Sequence, residues 1–330
     1  MRSVPAGSYE RLTAPLALWR AWLAYARGKG RRPAVARFAL DADTQIFALA
    51  RRLEANDWQP DPHRLLVVRD PKVRVIAAPS VRDRVLHQAV LDQLRPTFDP
   101  ALIHDTWAAL DGRGAHRAVL RALGWTRTRR YRLHLDVRRF FPSVHHDVML
   151  AVLVRRVRDR AMRDLLERLV RSGRAVYDHP VARRVLGPPD EPDRGLPIGS
   201  AFSQWAANHY LDGLDHYVKE RLRVGAYLRY MDDTLLFSDD RAELVAARAA
   251  IREWLASERR LALNPKHLDV EPTRSPTTWL GFRLHPSGIR PGPKMRRRLR
   301  WKVPAAAQRG AAALEATVSA YRALWTFGGD

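Results

Sequence analysis

Two apolar runs joined by a pair of adjacent acids place the tightest limit on how this chain folds. Residues 227–238 read YLRYMDDTLLFS. Tyr227, Leu228, Tyr230 and Met231 stand before the acids, and Leu235, Leu236 and Phe237 stand after them. Runs of this kind fit half-buried strands, and so short a connection makes them a β-hairpin with Asp232-Asp233 as its turn. Two-residue hairpin turns favour asparagine and glycine, because the central residues need positive φ. Adjacent carboxylates are poorer turn formers and repel each other, so a neutralising cation is expected. Oxygen-rich sites suit Mg²⁺, and paired ions stabilise the attacking and leaving oxygens of a phosphoryl transfer. The competing reading is a solvated acidic turn, since Asp is common in turns. On the hairpin alone the two readings stand even.

A third acid separates them. Residues 131–136, YRLHLD, form another alternating strand with Leu133 and Leu135 on one face, ending in Asp136 and followed by VRRFFPSV. Tyr230-Met231-Asp232-Asp233 together with Asp136 resembles the catalytic set of reverse transcriptases, and further motifs of that family follow in the right order. The resemblance implies an α+β right-hand polymerase fold with helical fingers, an antiparallel-sheet palm and a short helical thumb. The corresponding division is an N-terminal helical extension over 1–62, fingers and palm over 63–284, and a short basic thumb over 285–330. It also implies RNA-templated DNA synthesis. Asp136, Asp232 and the backbone of Val137 would hold two Mg²⁺ ions, for which Mn²⁺ can substitute, with Asp233 assisting.

The charge balance agrees with a polyanionic partner. The formal net charge is +23 over 330 residues, and such an excess points to nucleic acid. Only six of the 58 basic residues are lysine. GC-rich coding accounts for that choice of arginine but not for the shortage of acids. There is no cysteine, which excludes disulfides and thiolate metal sites. No stretch approaches the roughly 18 apolar residues of a membrane helix, and the opening MRSVPAGSYE lacks the apolar core of a signal peptide. The expectation is a cytoplasmic protein without membrane contact.

Residues 8–60 read as two or three helices. Leu16, Leu18, Trp19, Trp22, Leu23 and Tyr25 make an apolar stripe, a basic loop covers 27–33, and 34–53 is a second helical run. Residues 63–79 read as a hairpin turning at Asp70-Pro71, with Lys72 and Arg74 on one face. This resembles the fingers hairpin whose basic pair grips the incoming triphosphate; the alternative is ordinary surface charge. Residues 80–94 form an amphipathic helix with Val85, Leu86, Val90, Leu91 and Leu94 inward and Ser80 as N-cap. The stretch 104–119 resembles the family's S-x-x-x-R-x-G-R-G-x-H-x-A motif. In it Gly112, Arg113 and Gly114 are expected to lie near the template, while His116 packs or caps.

Phe141 stands five residues past Asp136, where the family carries an aromatic side chain that blocks a ribose 2′-OH; Phe140 and Phe141 also read as core. In His145-His146-Asp147, a helix cap on Asp147 is preferred to a metal site. Residues 148–172 read as one helix and 173–195 as irregular. The next motif reads Ile198-Gly199-Ser-Ala-Phe-Ser203-Gln204 where the family normally has Q-G-x-x-x-S-P. That departure resembles the reverse transcriptases of diversity-generating retroelements, which copy a template RNA into cDNA with frequent errors opposite adenine. An aliphatic Ile198 removes an amide contact near the nucleotide, and a site with fewer specific contacts discriminates less.

Downstream, 241–261 reads as a helix. Residues 263–266, LNPK, and 279–282, WLGF, resemble two further palm motifs, with Lys266 near phosphate and Gly281 near the primer. WLGF otherwise reads as a buried strand and 285–293 as a linker. Arg296, Arg297 and Arg298 begin a basic helical segment suited to duplex phosphates. Ser203, Gln204, Tyr230 and Met231 complete the template and primer contacts. Implied partners are template RNA, the cDNA primer and product, dNTPs and a small basic accessory protein. Alternatives are a retron or phage-defence reverse transcriptase, a non-catalytic RNA-binding protein that kept the fold, and, more distantly, a metal phosphohydrolase built on His104-Asp105 and His146-Asp147.

Overall fold

The computed structural model describes residues 3–69, 73–187, 192–266 and 268–327. Lys72, the Asp70-Pro71 turn and residues 188–191 of the stretch read as irregular lie outside them. The chain divides into two units, each assembled from non-contiguous segments: Met1–Ile103, Val137–Asp215 and Trp254–Ala262 in the first, and His104–Asp136, His216–Glu253 and Leu263–Asp330 in the second.

The first unit is largely helical, with one hairpin of strands β1 (Arg64–Val68) and β2 (Arg74–Ala78). Its N-terminal part forms four helices rather than two or three: Ser8–Thr13, Pro15–Ala26, Pro33–Ala39 and Ala42–Glu54. Pro15 and Pro33 each occupy a first helical position, where the missing N–H costs nothing. The expected apolar stripe is only partly buried. Leu18 and Trp22, four apart, face inward, whereas Leu16, Trp19 and Leu23 point outward. The helix Val81–Phe98 begins as expected, with Ser80 Oγ accepting the Asp83 N–H at 3.1 Å. All five residues assigned inward on it are buried.

The single helix expected over 148–172 is two, His146–Val154 and Arg160–Arg171. Asp159 makes the break. Its carboxylate accepts the Met162 N–H that opens the second helix and also the Tyr9 N–H, at 3.1 and 2.9 Å. Asp147 is not the cap of the first helix. His145 holds that position, and Asp147 lies inside the first turn, paired with Arg171 at 3.0 Å. The stretch read as irregular carries two short helices, Gly173–Asp178 and Pro180–Leu186.

Before the helix Ala201–Tyr210, the chain runs against β2: the Ala77 N–H donates to the Ile198 carbonyl at 2.7 Å. Gly199 has φ +125°, and a Cβ there would lie 2.7 Å from the Ala77 carbonyl oxygen. Gly195 is similarly confined by the Tyr177 ring, 2.2 Å from where its Cβ would be. Both glycines therefore serve close packing inside this unit.

The second unit holds the remaining strands: β3 (Tyr131–Asp136), β4 (Ala226–Tyr230), β5 (Asp233–Ser238), β6 (Val270–Pro272), β7 (Thr277–Trp279), β8 (Phe282–His285) and β9 (Gly288–Pro291). The first four make an antiparallel sheet in the order β4-β5-β3-β6, and the last three a second sheet. Strands β4 and β5 are buried nearly throughout rather than on alternate residues. Leu228, Leu235 and Phe237 pack in one cluster with Ala118, Val119 and Ala122 of the helix Ala115–Thr128. In β3 the fully buried Arg132 is neutralised by Glu271 and donates to the Pro272 and Ser275 carbonyls, as a buried charge requires.

WLGF is a turn, not a strand. Trp279 pairs with Phe282, and Leu280 and Gly281 both have positive φ, 47° and 88°, the signature of a type I′ turn. The segment read as a linker supplies β9, which pairs with β8. The helices Pro293–Ala307 and Ala311–Trp325 close the chain, with Arg296, Arg297 and Arg298 exposed. Among the described residues no helix is long and apolar enough to cross a membrane.

Gly199→Ala should lower stability to urea by roughly 2–4 kcal/mol, combining a forced left-handed backbone with a clash. An unchanged denaturation midpoint would show that β2 and the 195–200 segment separate readily.

Candidate active site

Strand pairing brings the acids together. Asp136, the last residue of β3, sits opposite Asp233, the first residue of β5, and Asp233 also pairs with Tyr230 of β4. The two-residue turn is therefore Met231-Asp232, one residue earlier than the sequence suggests. The reason is register: Asp233 is already committed to the ladder on both sides. Met231 takes φ 57°, at the turn position glycine normally fills, which costs about 1–3 kcal/mol. Beneath the turn, Arg229 is fully buried and donates to the Met231 carbonyl at 2.9 Å.

This register gives the three acids different surroundings. Asp232 projects from the turn, close enough to Asp136 for the two carboxyl charges to interact. Some solvent reaches Asp232, but its carboxyl is crowded by protein. Burial first, and then the charge of Asp136, push its pKa strongly upward. Two carboxylates at this separation hold either a proton or a cation between them. Asp136 is fixed by Asn264, whose Nδ2 donates to Oδ2 at 2.8 Å and whose N–H donates to the Asp136 carbonyl at 2.7 Å. Asp233 is held differently: its Oδ1 accepts from His134 Nε2 at 2.5 Å and from Trp279 Nε1 at 3.2 Å.

Asp136 and Asp232 are side chains that together could hold a divalent ion. Among the described residues no group of three or more His, Asp or Glu side chains forms a ready-made cage. An open pair of carboxylates nevertheless fits Mg²⁺, which is typically held by one or two carboxylates with waters and substrate phosphates completing the shell. Val137 follows directly, its side chain buried.

The other residues singled out in the sequence distribute between the units. In the first, Arg74 is exposed at the start of β2. Phe140 is core, while Phe141 is half-buried with its ring edge-on to Phe140 at 5.4 Å. Ser203 is buried and its N–H donates to Ser200 Oγ, and Gln204 is exposed. In the second unit, Arg113 donates to the carbonyls of His104 and Thr106 and so shapes its own loop, between Gly112 (φ 71°) and Gly114 (φ 131°). His116 packs edge-on against Phe282 and Phe327. Lys266 is exposed beside Asn264, and the Gly281 carbonyl accepts the Gly292 N–H.

Four residues that support the acids escaped the sequence reading: His134, Arg229, Asn264 and Trp279. Two left a trace. His134 is two residues from Asp136 and so on its face of β3, and Arg229 is a charge inside an otherwise apolar strand.

Several known proteins are similar to this chain. The family model described as reverse transcriptase (RNA-dependent DNA polymerase) matches residues 68–284, which contain all three acids. Protein YkfC of Escherichia coli strain K12 is 24% identical over 280 residues, 73% of this chain and 71% of that protein. A Saccharomyces cerevisiae protein named for COX1/OXI3 intron 2 is 20% identical over 177 residues, 52% of this chain and 20% of that protein. Telomerase from Candida tropicalis, in its apo form, superposes with a TM-score of 0.49 at 10% identity over 71% of this chain. Telomerase from Candida albicans, with a TWJ fragment of telomeric RNA, gives 0.47 at 11% over 76%. This chain spans about half of each telomerase chain, 49%. The matched family generally uses divalent metal ions.

With chelator present, the raised Asp232 pKa, about 7 against about 3.9 in an unfolded chain, fixes a sign. The native state then holds more protons than the unfolded state between those values, so this group's contribution to stability is intact below pH 4 and is lost as pH rises through 7. Asp232→Asn should therefore melt above the wild type at pH 8 and level with it at pH 4; parallel Tm profiles would contradict the shared proton. Asn264→Ala should raise the divalent ion concentration needed for half-maximal activity roughly 10–100-fold, with nucleotide KM nearly unchanged. An unshifted metal titration would make Asn264 a purely architectural residue.

Proposed function

Because the family match covers most of the chain, the protein belongs to the reverse transcriptase family, and we propose that it is an RNA-directed DNA polymerase that copies a template RNA into cDNA. The observation that carries this reading is the crowding of the Asp136 and Asp232 carboxyls at the tip of the β4-β5 hairpin, fixed by the pairing of β3 with β5. In the reaction a primer 3′-OH attacks the α-phosphate of a dNTP in line and pyrophosphate leaves. Two Mg²⁺ ions, or Mn²⁺ in their place, would when bound supply charge neutralisation at the attacking and leaving oxygens.

The chain's own share is positioning. Asp136 and Asp232, with the Val137 carbonyl, would hold the metal, and Asn264 fixes the Asp136 carboxylate for that task. Asp233 assists through the hairpin, since its Oδ1 is already engaged by His134 and Trp279. Lys72 and Arg74 meet the triphosphate, as guanidinium and ammonium groups suit phosphate oxygens. Phe141, with only its neighbour Phe140 committed to the core, excludes the ribose 2′-OH. Ile198 and Gly199 border the nucleotide. Template and primer run along Gly112, Arg113, Gly114, Ser203, Gln204, Tyr230, Met231, Lys266, Gly281 and Arg296–Arg298.

The finer reading is an error-prone enzyme of a diversity-generating retroelement, acting with a small basic accessory protein. Ile198 in place of a glutamine amide, and Gln204 after Ser203, support it. The test is primer extension on poly(rA)·oligo(dT). Asp232→Ala should reduce dNTP incorporation by on the order of a thousandfold while leaving duplex binding in place. Retained incorporation would overturn the polymerase reading. Sequenced cDNA from a defined template should show errors concentrated opposite adenine. An even error spectrum would favour the retron or defence alternative.

A further inference from the structure

In the second unit, the helix Ala115–Thr128 presents two faces of opposite character. Ala118, Val119, Ala122 and Leu123 are buried in one cluster with Leu228, Leu235 and Phe237. The outer face exposes Arg117, Leu120, Arg121, Gly124, Arg127 and Thr128, at the spacings of three and four that share one side of a helix. From Arg117 to Arg127 the row runs about 15 Å. None of its residues is among those placed above at metal, nucleotide, template or primer, although the loop before the helix is.

Each arginine of the row is anchored at a different point of the unit. Arg117 donates to the Gly112 carbonyl, and Arg127 to the Pro286 carbonyl at 3.1 Å. These carbonyls orient the two guanidiniums without neutralising them, and among the described residues neither meets a carboxylate. Arg121 pairs with the buried Asp105 at 3.0 Å and lies over the Trp125 ring at 4.3 Å. Lys219 shares that carboxylate at 3.2 Å, so two cations divide one negative charge.

A chain of net charge +23 scatters arginines over its surface, and the bland reading is such scatter. Two observations oppose it. Residues 115–128 contain no Asp or Glu. Among helices of twelve or more residues with two or more arginines, only Pro293–Ala307 also lacks an acid, and it is the one already read as holding a duplex. The second observation is Gly124. A glycine inside a helix destabilises it relative to alanine. Nothing lies within 4 Å of the place its Cβ would occupy, so the packing of the protein makes no use of the opening. It serves the close approach of a partner.

Anchored guanidiniums suit phosphate oxygens, and groove shape decides which nucleic acid supplies them. With its inner face held by the sheet, the helix can lie on a shallow groove but cannot enter a deep one. The major groove of B-DNA is about 8.5 Å deep and its minor groove only about 6 Å wide. A-form RNA offers a wide, shallow minor groove bordered by phosphates and 2′-hydroxyls. Leu120 and the opening at Gly124 suit its sugar edges, and Arg117 and Arg127 its phosphates.

We propose that the outer face of this helix binds double-stranded RNA through its backbone, without reading sequence, as a surface additional to the one that takes template and primer. The inference goes beyond the polymerase reading and stands without it.

The test measures binding of the full-length protein, over a range of salt, to an RNA hairpin of about 16 base pairs blocked at its 3′ end so that it cannot prime. Arg117→Gln/Arg127→Gln should flatten the slope of log K against log salt by about 2, and weaken binding at least roughly tenfold at physiological salt. Arg51→Gln/Arg52→Gln removes the same charge from exposed positions on the helix Ala42–Glu54 and should leave the slope unchanged. Equal flattening in both variants, or none in either, would overturn the site. Gly124→Gln should melt above the wild type, because it replaces a helical glycine, and yet bind the hairpin more weakly. Misfolding cannot produce that combination, and undiminished binding would contradict the groove fit. A DNA hairpin of the same sequence should lose little by these changes; equal loss on DNA would overturn the assignment to RNA. A loss confined to polyglutamate would mark the face as one for acidic proteins and sink the proposal. Wild-type extension of poly(rA)·oligo(dT), measured alongside, tests the polymerase reading separately, and its failure leaves the hairpin result standing.

Discussion

Two like charges held against their own repulsion are what the second unit is built to sustain. Asp136 and Asp232 meet because β3 and β5 pair in a register that leaves no slack: Asp136 opposite Asp233, and Asp233 opposite Tyr230. Shifting that register by one residue would turn Leu133 and Leu135 to the other face and expose the core. Burial of the apolar ladder thus fixes the acids in place, and the favourable packing of Leu228, Leu235 and Phe237 offsets the cost of crowding two carboxyls. The neighbouring donors divide the remaining work, with Asn264 on Asp136, His134 and Trp279 on Asp233, and Arg229 on the turn itself.

Much of this was legible in the letters. An alternating run ending in Asp136 predicted β3, apolar runs flanking the acids predicted β4 and β5, and Ser80 predicted a helix start whose cap bond the structure contains. The family resemblance, carried by motifs in order, anticipated the α+β polymerase fold. What the letters concealed follows one pattern. A turn position depends on which residue the partner strand claims, so the tip moved from Asp232-Asp233 to Met231-Asp232. The break at Asp159 depends on Tyr9, far away in sequence. The strand at 288–291 is only four residues long, begins with glycine and ends with proline, and exists because β8 offers it an edge. Each miss was a local propensity overruled by a distant neighbour.

The supporting residues were hidden for a related reason. Asn264 beside a proline reads as an ordinary turn residue, and Trp279 as an ordinary core residue; only three-dimensional pairing shows that each donates to a carboxylate. Glycines carry a similar message. At Gly195 and Gly199 a side chain would meet the Tyr177 ring and the backbone of Ala77, neighbours that no local pattern announces. A glycine records that something comes close, not what it is.

The interleaving of the two units has a consequence for how the protein comes into being. His134 precedes Asp233 by 99 residues and Asp136 precedes Asn264 by 128, with most of the intervening chain belonging to the other unit. During synthesis at about 5–20 residues per second, the first acid emerges several seconds before the strand that will align it and longer before the amide that steadies it. A nascent chain of this protein therefore carries its first acid unaligned until the 128 residues that separate it from Asn264 have been added.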